Sequence, residues 1–403
     1  MNRLIVTYEF TTLPIDDDRL LSALEAFYGQ KGVPYFDLVR GGVRFKQFVG
    51  VIQVGAYTIE VLPKIDKQEN ENDVWQAVLI DMLRQSGMVK SDAPTSANLK
   101  LKSNSILEVY FEMFITECEY ILHRGLIKRY RKKEGNRNAL KGSLVFGKHI
   151  SQNITHKERF YVNYSDYDVE HLINQILLKT IHLIALCSQS IVLKSRIANL
   201  LINFPELETI SVNSKTFDRL KFDRKSEHYR HAIHISKLLL LNYHPNITKG
   251  KEGVLALMFD MNLLWEKWVL KQLLAHQTPA FKVIGQHSQS FWKPMFEGAG
   301  KTLRPDIIIE NNGSKIIIDT KWKLPKDERP SDEDLKQMFA YNNRFQSKYS
   351  ILLYPGKKVG YAGSFFRQEE NGHCELYFLN VLNDGKLTAD EVDKLIQKIG
   401  EIN

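Results

Sequence analysis

The chain has 403 residues, 43% hydrophobic and 25% charged, an ordinary globular composition long enough for two or three domains. The formal net charge of +8 suits a polyanionic partner, but the excess is modest and spread out, and many proteins that never touch nucleic acid share it. Cys118, Cys187 and Cys374 stand far apart with no C-x-x-C pair, which argues against a zinc site or a disulfide framework. The opening MNRLIVTYEFTTLP lacks the charged-then-apolar pattern of a signal peptide, and no apolar run reaches the roughly 18 residues of a membrane helix. No membrane association and a reducing cytoplasmic location are expected.

Three regions follow one another without an internal repeat. Residues 1–100 form a β-rich N-terminal domain. In FVGVIQVGAYTIEVLP (48–63) two β-rich runs flank Gly55-Ala56, and Tyr57, Ile59 and Val61 alternate with Thr58 and Glu60 at strand period. The polar stretch Asp66 to Asp73 reads as a loop or the lead-in to a helix over Val74 to Gln85. Residues 101–250 are mainly helical, with helical periodicity from Ile106 to His123 and from His171 to Cys187. Between them RYRKKEGNRN (129–138) reads as a basic, turn-rich loop, followed by a strand pair around Gly142 to Phe146. Lys128 to Lys133 is read as a solvated charged segment rather than a phosphate-binding patch.

Residues 251–403 read as an α/β domain. A long helix runs from about Gly253 to His276, a strand from Phe281 to Gly285, a hairpin from Leu303 to Trp322, a helix from Asp332 to Phe345 and a strand from Tyr349 to Tyr354. A helical crossover between strands implies a mixed sheet covered by helices.

The hairpin carries the chemistry. Asn312-Gly313, between two β-branched runs, is a strong type I′ turn signal because both positions tolerate positive φ. That turn pairs Asn311 with Ser314 and Glu310 with Lys315, and each further step brings Asp306 opposite Asp319. Facing carboxylates destabilise a sheet, and the surrounding isoleucines imply partial burial, so something positive must compensate. A divalent cation is the simplest answer, since Mg2+ takes one or two carboxylates together with waters and substrate phosphates. Lys321 shares the face of Asp319 by strand period two, beside the cation, and the Thr320 carbonyl offers a further ligand. A bland reading makes Asp306 and Asp319 solvated strand ends and Lys321 their salt-bridge partner. A lone D-x-K triplet is common, whereas P-D, a hairpin, an apolar strand and D-x-K together are much more specific.

Two helices add to it. Phe259, Leu263, Leu270 and Leu273 form an apolar stripe into which Glu266 falls, as a buried salt-bridge acid or as an acid joining the metal site through water. Gln337 and Tyr341, four residues apart, share a helix face and can donate to phosphate or to the carboxylates. His228, His231 and His234 have spacing three and read as surface or core residues rather than a metal site.

Pro305-Asp306 with Asp319-Thr320-Lys321 resembles the signature of the PD-(D/E)xK nuclease superfamily. Glu266 matches its first-helix acid, and Gln337 and Tyr341 match the Q-x-x-x-Y of its RecB-like branch. Further segments resemble the McrC family, the nuclease subunits of McrBC modification-dependent restriction systems. They are FVGVIQVGAYTIEVLPKI (48–65), HRGLIKRYR (123–131), HKERFYVNYSDYDVEHLINQIL (156–177) and MFDMNLLWEKWV (258–269). The resemblance implies a restriction-endonuclease-like C-terminal domain that cuts double-stranded, methylated DNA with Mg2+ or Mn2+. It also implies an McrB-like AAA+ GTPase partner, engaged by the N-terminal part, that binds the GTP, reads the DNA and translocates. A homodimer within the complex is compatible with it. This chain carries no G-x-x-x-x-G-K-[ST] loop of its own. The rivals are a self-sufficient RecB-like nuclease or resolvase, a non-cutting adaptor that activates a motor, and a subunit of a system reading an unmodified sequence.

Overall fold

The two apolar runs around Gly55-Ala56 pair as antiparallel strands, Phe48–Val54 and Tyr57–Leu62, in register from Val54 with Tyr57 to Gly50 with Val61. Arg3–Tyr8 adds in parallel beside Tyr57–Leu62. A smaller antiparallel sheet of Thr12–Pro14, Gly42–Phe45 and Phe36–Val39 accompanies the helix Asp18–Tyr28, whose first amides are capped by Asp17. The computed structural model describes residues 3–29, 31–63, 72–88, 106–244, 253–279, 281–323, 325, 329–365, 372–383 and 386–402. Of the polar 66–73 stretch, residues 66–71 lie outside these; the helix after it spans Asn72–Gln85.

The chain divides into two compact units, one of Arg3–Asp92 with Met258–Asn403 and one of Ala93–Leu257. The first and last of the three expected regions therefore share a unit. Buried polar bonds join them: Trp322 Nε1 donates to Glu9 at 2.6 Å, and Trp268 Nε1 donates to Gln85 at 2.8 Å.

The other unit is built on the helices Ile106–Arg124, Leu172–Cys187, Ile191–Asn203 and Arg230–Leu241. The expected basic loop is instead a nine-residue strand, Arg129–Arg137, paired antiparallel with Phe160–Asp168. Its partner FYVNYSDYD alternates at strand period, and its cations find acids across the ladder, so pairing outweighs the turn signal of Gly135-Asn136. Ser143–Leu144 pairs on the other side of Phe160–Asp168, as the strand expected near Gly142. Gly142 is required there, since φ is +85° and a Cβ would meet the Asn163 carbonyl at 2.1 Å.

The C-terminal part holds a six-stranded mixed sheet in the order Phe281–Gly285, Ile307–Asn311, Ser314–Thr320, Tyr349–Pro355, His373–Leu379, Tyr361–Ser364. Ser314–Thr320 and Tyr349–Pro355 are parallel, and the helix Asp332–Phe345 makes the crossover between them. That helix lays Met338, Tyr341 and Phe345 on Ile308, Ile317 and Leu352 of the sheet. Trp265 reaches the neighbouring strand from the helix Met261–Ala275, its indole nitrogen 3.5 Å from the Leu353 carbonyl.

The expected helix over 253–276 is two elements: a strand, Val254–Asp260, and then Met261–Ala275. VLALMF is apolar without a break, and Val254 to Leu257 are all buried, so the strand shows no alternation to distinguish it from a helix. Asp260 marks the true start by accepting from the amides of Asn262 and Leu263. The buried face is correspondingly Met261, Leu264, Trp265, Trp268, Val269 and Leu273, not the predicted stripe, and Leu263 is exposed. Among the described residues no helix is long and apolar enough to cross a membrane.

Candidate functional site

Asn312 and Gly313 take φ of 46° and 87°, as the two-residue turn demands. The ladder runs Asn311 with Ser314 and Glu310 with Lys315 through to Ile307 with Ile318, the register expected from the turn. One step beyond lie Asp306 and Asp319. Asp306 is anchored at the strand mouth: its Oδ2 accepts from the Thr320 amide at 2.7 Å and the Thr320 hydroxyl at 2.8 Å, and its carbonyl accepts from the Gln286 amide at 2.8 Å. Asp319 is only 2% exposed.

Burial first, and then the charge of Asp306, push the Asp319 carboxyl up to about 7. Lys321 Nζ lies 2.7 Å from Asp319 Oδ2. The same ammonium is shared with Asp334 at 3.4 Å and with Gln337 Oε1 at 3.0 Å. Burial works against the charge on Lys321, but Asp319 and then Asp334 outweigh it and hold the ammonium above its ordinary pKa.

Gln337 and Tyr341 stand on one helix face, as their spacing predicts. Gln337 Nε2 lies 3.3 Å from Asp319 Oδ1 and 2.7 Å from the Tyr341 hydroxyl, which donates to the Arg304 carbonyl at 3.0 Å. One chain of contacts thus ties Lys321, Asp319, Gln337 and Tyr341 to the residue before Pro305-Asp306. Glu266 joins by a different route: Gln286 Nε2 donates to it at 2.6 Å while the Gln286 amide holds Asp306. Burial, and after it Asp306, raise the Glu266 pKa.

Two residues of the cluster escape sequence reasoning. Gln286 bridges two candidate acids from a left-handed conformation, φ 51°, and nothing in G-Q-H-S announces it. Asp334 is 5% exposed in the first turn of its helix, where an acid is ordinarily read as favouring the helix dipole. Its real partners are Lys323 at 2.7 Å and Lys321. His228 and His231 are half-buried and His234 is exposed, with His231 Nδ1 3.0 Å from Glu117.

Chemically, the cluster packs Asp319 and Asp334 around one shared ammonium. Asp306, Asp319, Glu266 and Asp334 face Lys321 and Lys323, with Arg304 and Lys267 acting on Glu266, and the buried Asp319 Oδ2 has the shared Lys321 ammonium as its close cation. A hard cation fits that oxygen. Among the described residues no group of three or more His, Cys, Asp or Glu side chains converges as a closed metal cage. Two carboxylates suit an ion that keeps waters or takes substrate oxygens.

No curated protein matches the chain. A refined half-complex from a tetradecameric assembly of Thermococcus gammatolerans McrB AAA+ hexamers with bound McrC matches at a TM-score of 0.77 and 16% identity. That match covers 98% of this chain and 100% of that one. A chain of the cryo-EM structure of the Thermococcus gammatolerans McrBC complex matches at a TM-score of 0.53 and 19% identity, over 67% of this chain and 87% of that one. The family model described as McrBC 5-methylcytosine restriction system component matches residues 43–355, a span that takes in both strands of the acidic hairpin and the Gln337 helix. This chain belongs to the McrBC 5-methylcytosine restriction system component family.

Proposed function

We propose that the chain is the McrC-type nuclease subunit of its restriction system, hydrolysing phosphodiester bonds of double-stranded DNA with Mg2+ or Mn2+. The observation that carries this is Asp319, a buried carboxylate beside Asp306 whose one close cation, Lys321 at 2.7 Å, is shared with Asp334. Pro305-Asp306 and Asp319-Thr320-Lys321 on adjacent strands of a mixed sheet support a PD-(D/E)xK assignment. Asp306 and Asp319 would hold the cation, with the Thr320 carbonyl and, through water, Glu266. When bound, such an ion polarises a phosphoryl oxygen and lowers the pKa of water.

The protein's own contribution is placement. Lys321 is held by Asp319, Asp334 and Gln337, so its ammonium is preorganised to orient the attacking water and offset charge developing on phosphate. Thr320 fixes Asp306, and Tyr341 fixes Gln337. Gln286 keeps Glu266 and Asp306 in one frame.

The fold likeness to a chain from an assembly of McrB AAA+ hexamers with bound McrC supports an McrB-like GTPase as partner. In this proposal the partner binds GTP, reads methylated DNA and translocates, and residues 1–100 engage it. The test combines purified chain, partner, GTP, Mg2+ and methylated or unmethylated plasmid. Double-strand cutting of methylated plasmid is expected only when all components are present, and EDTA or Asp306→Asn should abolish it. Cutting without partner and GTP would identify a self-sufficient nuclease. GTP turnover without any cutting would identify an adaptor.

A further inference from the structure

A two-stranded ribbon stands immediately before Pro305-Asp306. Gln289–Trp292 pairs antiparallel with Lys301–Leu303, with an irregularity between Ser290 and Trp292, and residues 293–300 close its tip. The tip turns apolar side chains outward: Phe291 is 58% exposed, Trp292 54%, Phe296 78% and Met295 fully exposed. Apolar groups clustered in water in this way mark an interaction surface. Lys293, Lys301 and Arg304 are exposed on the same ribbon and its exit, against a single acid, Glu297.

Both roots of the ribbon are fastened to the candidate active site. On the entering side the Gln286 amide donates to the Asp306 carbonyl, and the Gln286 side chain donates to Glu266. On the leaving side Leu303 packs against the core cluster, and the Arg304 carbonyl accepts from Tyr341. The tip is therefore held at a fixed offset from Asp306 and Asp319.

We propose that this ribbon is a DNA wedge. Phe291, Trp292, Met295 and Phe296 press on base edges or faces through a duplex groove, while Lys293, Lys301 and Arg304 take flanking phosphates. The wedge thereby sets which phosphate reaches Lys321 and Asp319, and in this it rests on the nuclease function proposed above. Apolar side chains that enter a groove and partly unstack bases are a recurrent device, and they work beside cations that hold the backbone. An apolar centre with a charged rim also describes a protein-docking patch, but such a patch needs no anchorage in the acidic cluster, which the ribbon has at both roots.

The experiment uses the full chain in EDTA with a duplex carrying 2-aminopurine, so no cutting intervenes. The wild-type chain should raise 2-aminopurine fluorescence as bases unstack. The variant Phe291→Ser/Trp292→Ser/Met295→Ser/Phe296→Ser should lose that rise and bind the duplex about tenfold more weakly or worse. Trp292→Phe should keep both. Because the four side chains face water, the variant should melt as the wild type does. If it melts early, the single variants Met295→Ser and Phe296→Ser carry the same expectation for the fluorescence rise. An unchanged rise and affinity in the variants, or no rise with the wild-type chain, overturns the wedge. So does loss of self-association or partner binding with DNA affinity intact, which makes the tip a protein-docking surface. Plasmid cutting by Asp319→Asn, run alongside, separates the two ideas: cutting by that variant sinks the active site, while the fluorescence rise and duplex affinity alone decide whether the ribbon enters DNA.

Discussion

Two antiparallel ladders of this molecule use the same residue types to opposite ends. In the ladder of Arg129–Arg137 with Phe160–Asp168, Arg131 donates twice to Asp168, at 3.2 and 3.0 Å. Lys133 reaches Asp166 at 3.0 Å and Asp168 at 2.6 Å. Arg131 first and then Lys133 hold Asp168 down at about 2. These acids are saturated with cations and partly open to water, and exposed pairs of that kind contribute little. At the mouth of the hairpin of Ile307–Asn311 with Ser314–Thr320, Asp319 is buried, shares its lysine with Asp334, and has its pKa raised by burial and then by the charge of Asp306. An R-x-K facing a D-x-D is as charged a motif as D-x-K. Burial of Asp319, with its close ammonium shared, is what separates the proposed site from the balanced surface of the other ladder.

The largest effect should come from removing that buried acid. Asp319→Asn should bring cutting below detection while the fold survives. Wild-type chain should gain melting temperature on adding Mg2+, because an ion that binds only the folded state stabilises it, and the variant should lose that gain. In EDTA the variant should melt no lower than the wild type, since a buried like charge has gone. Full cutting, or an undiminished Mg2+ shift, sinks the assignment of Asp319.

Next comes the shared lysine. Lys321→Ala removes one electrostatic donor, worth roughly 3 kcal/mol or a hundredfold or more in rate. Lys321→Arg should fail nearly as badly, because a planar fork does not reproduce a compact ammonium held by Asp319, Asp334 and Gln337. Stimulation of the partner GTPase and most DNA affinity should persist in both variants, since phosphate contacts are many. Cleavage rate, GTP turnover and binding at one salt concentration read the three effects, and unimpaired cutting by Lys321→Arg favours a structural ion pair.

A smaller effect tests burial without catalysis. Glu9 is 2% exposed and accepts from Trp322, the neighbour of Lys321. Glu9→Ala strands that indole N–H and should cost about 1–3 kcal/mol of stability, read by urea titration. Removing residues 1–92 altogether strands Trp268 Nε1 as well, so within the remaining 93–403 fragment the 258–403 part should not unfold cooperatively. A fragment as stable as the intact chain refutes the shared unit.

The hairpin was legible because each signal in it is local: Asn312-Gly313 sets the register, and period two then assigns Asp319 and Lys321 to one face. Gln337 and Tyr341 were legible for the same reason on a helix. Gln286 and Asp334 were not, because their roles depend on chain segments that come together only in the fold. The strand Val254–Asp260 was hidden by its own burial, which erased the alternation that identifies a strand. The strand Arg129–Arg137 was hidden by charge, because the partner that neutralises it lies about thirty residues on.

The smallest expected effect belongs to the balanced ladder and carries the opposite sign of pH dependence. Asp168 titrates at about 2 in the folded chain, against an ordinary aspartate near ~3.9. An acid depressed by folding contributes its stability in full above the unfolded value and loses it as pH falls through the folded one. Wild type and Asp168→Asn should therefore differ slightly in melting temperature at neutral pH and converge as pH drops from about 4 to about 2. High salt should shrink the difference at neutral pH, since the pairs are exposed enough to be screened. Asp319 behaves in the reverse manner: its pKa is raised, so in EDTA the folded state gains as pH falls toward and below about 7. Cutting at neutral pH should be untouched in Asp168→Asn. If that variant lost cutting as Asp319→Asn does, the contrast between a saturated and a starved set of carboxylates would not be what separates surface from site.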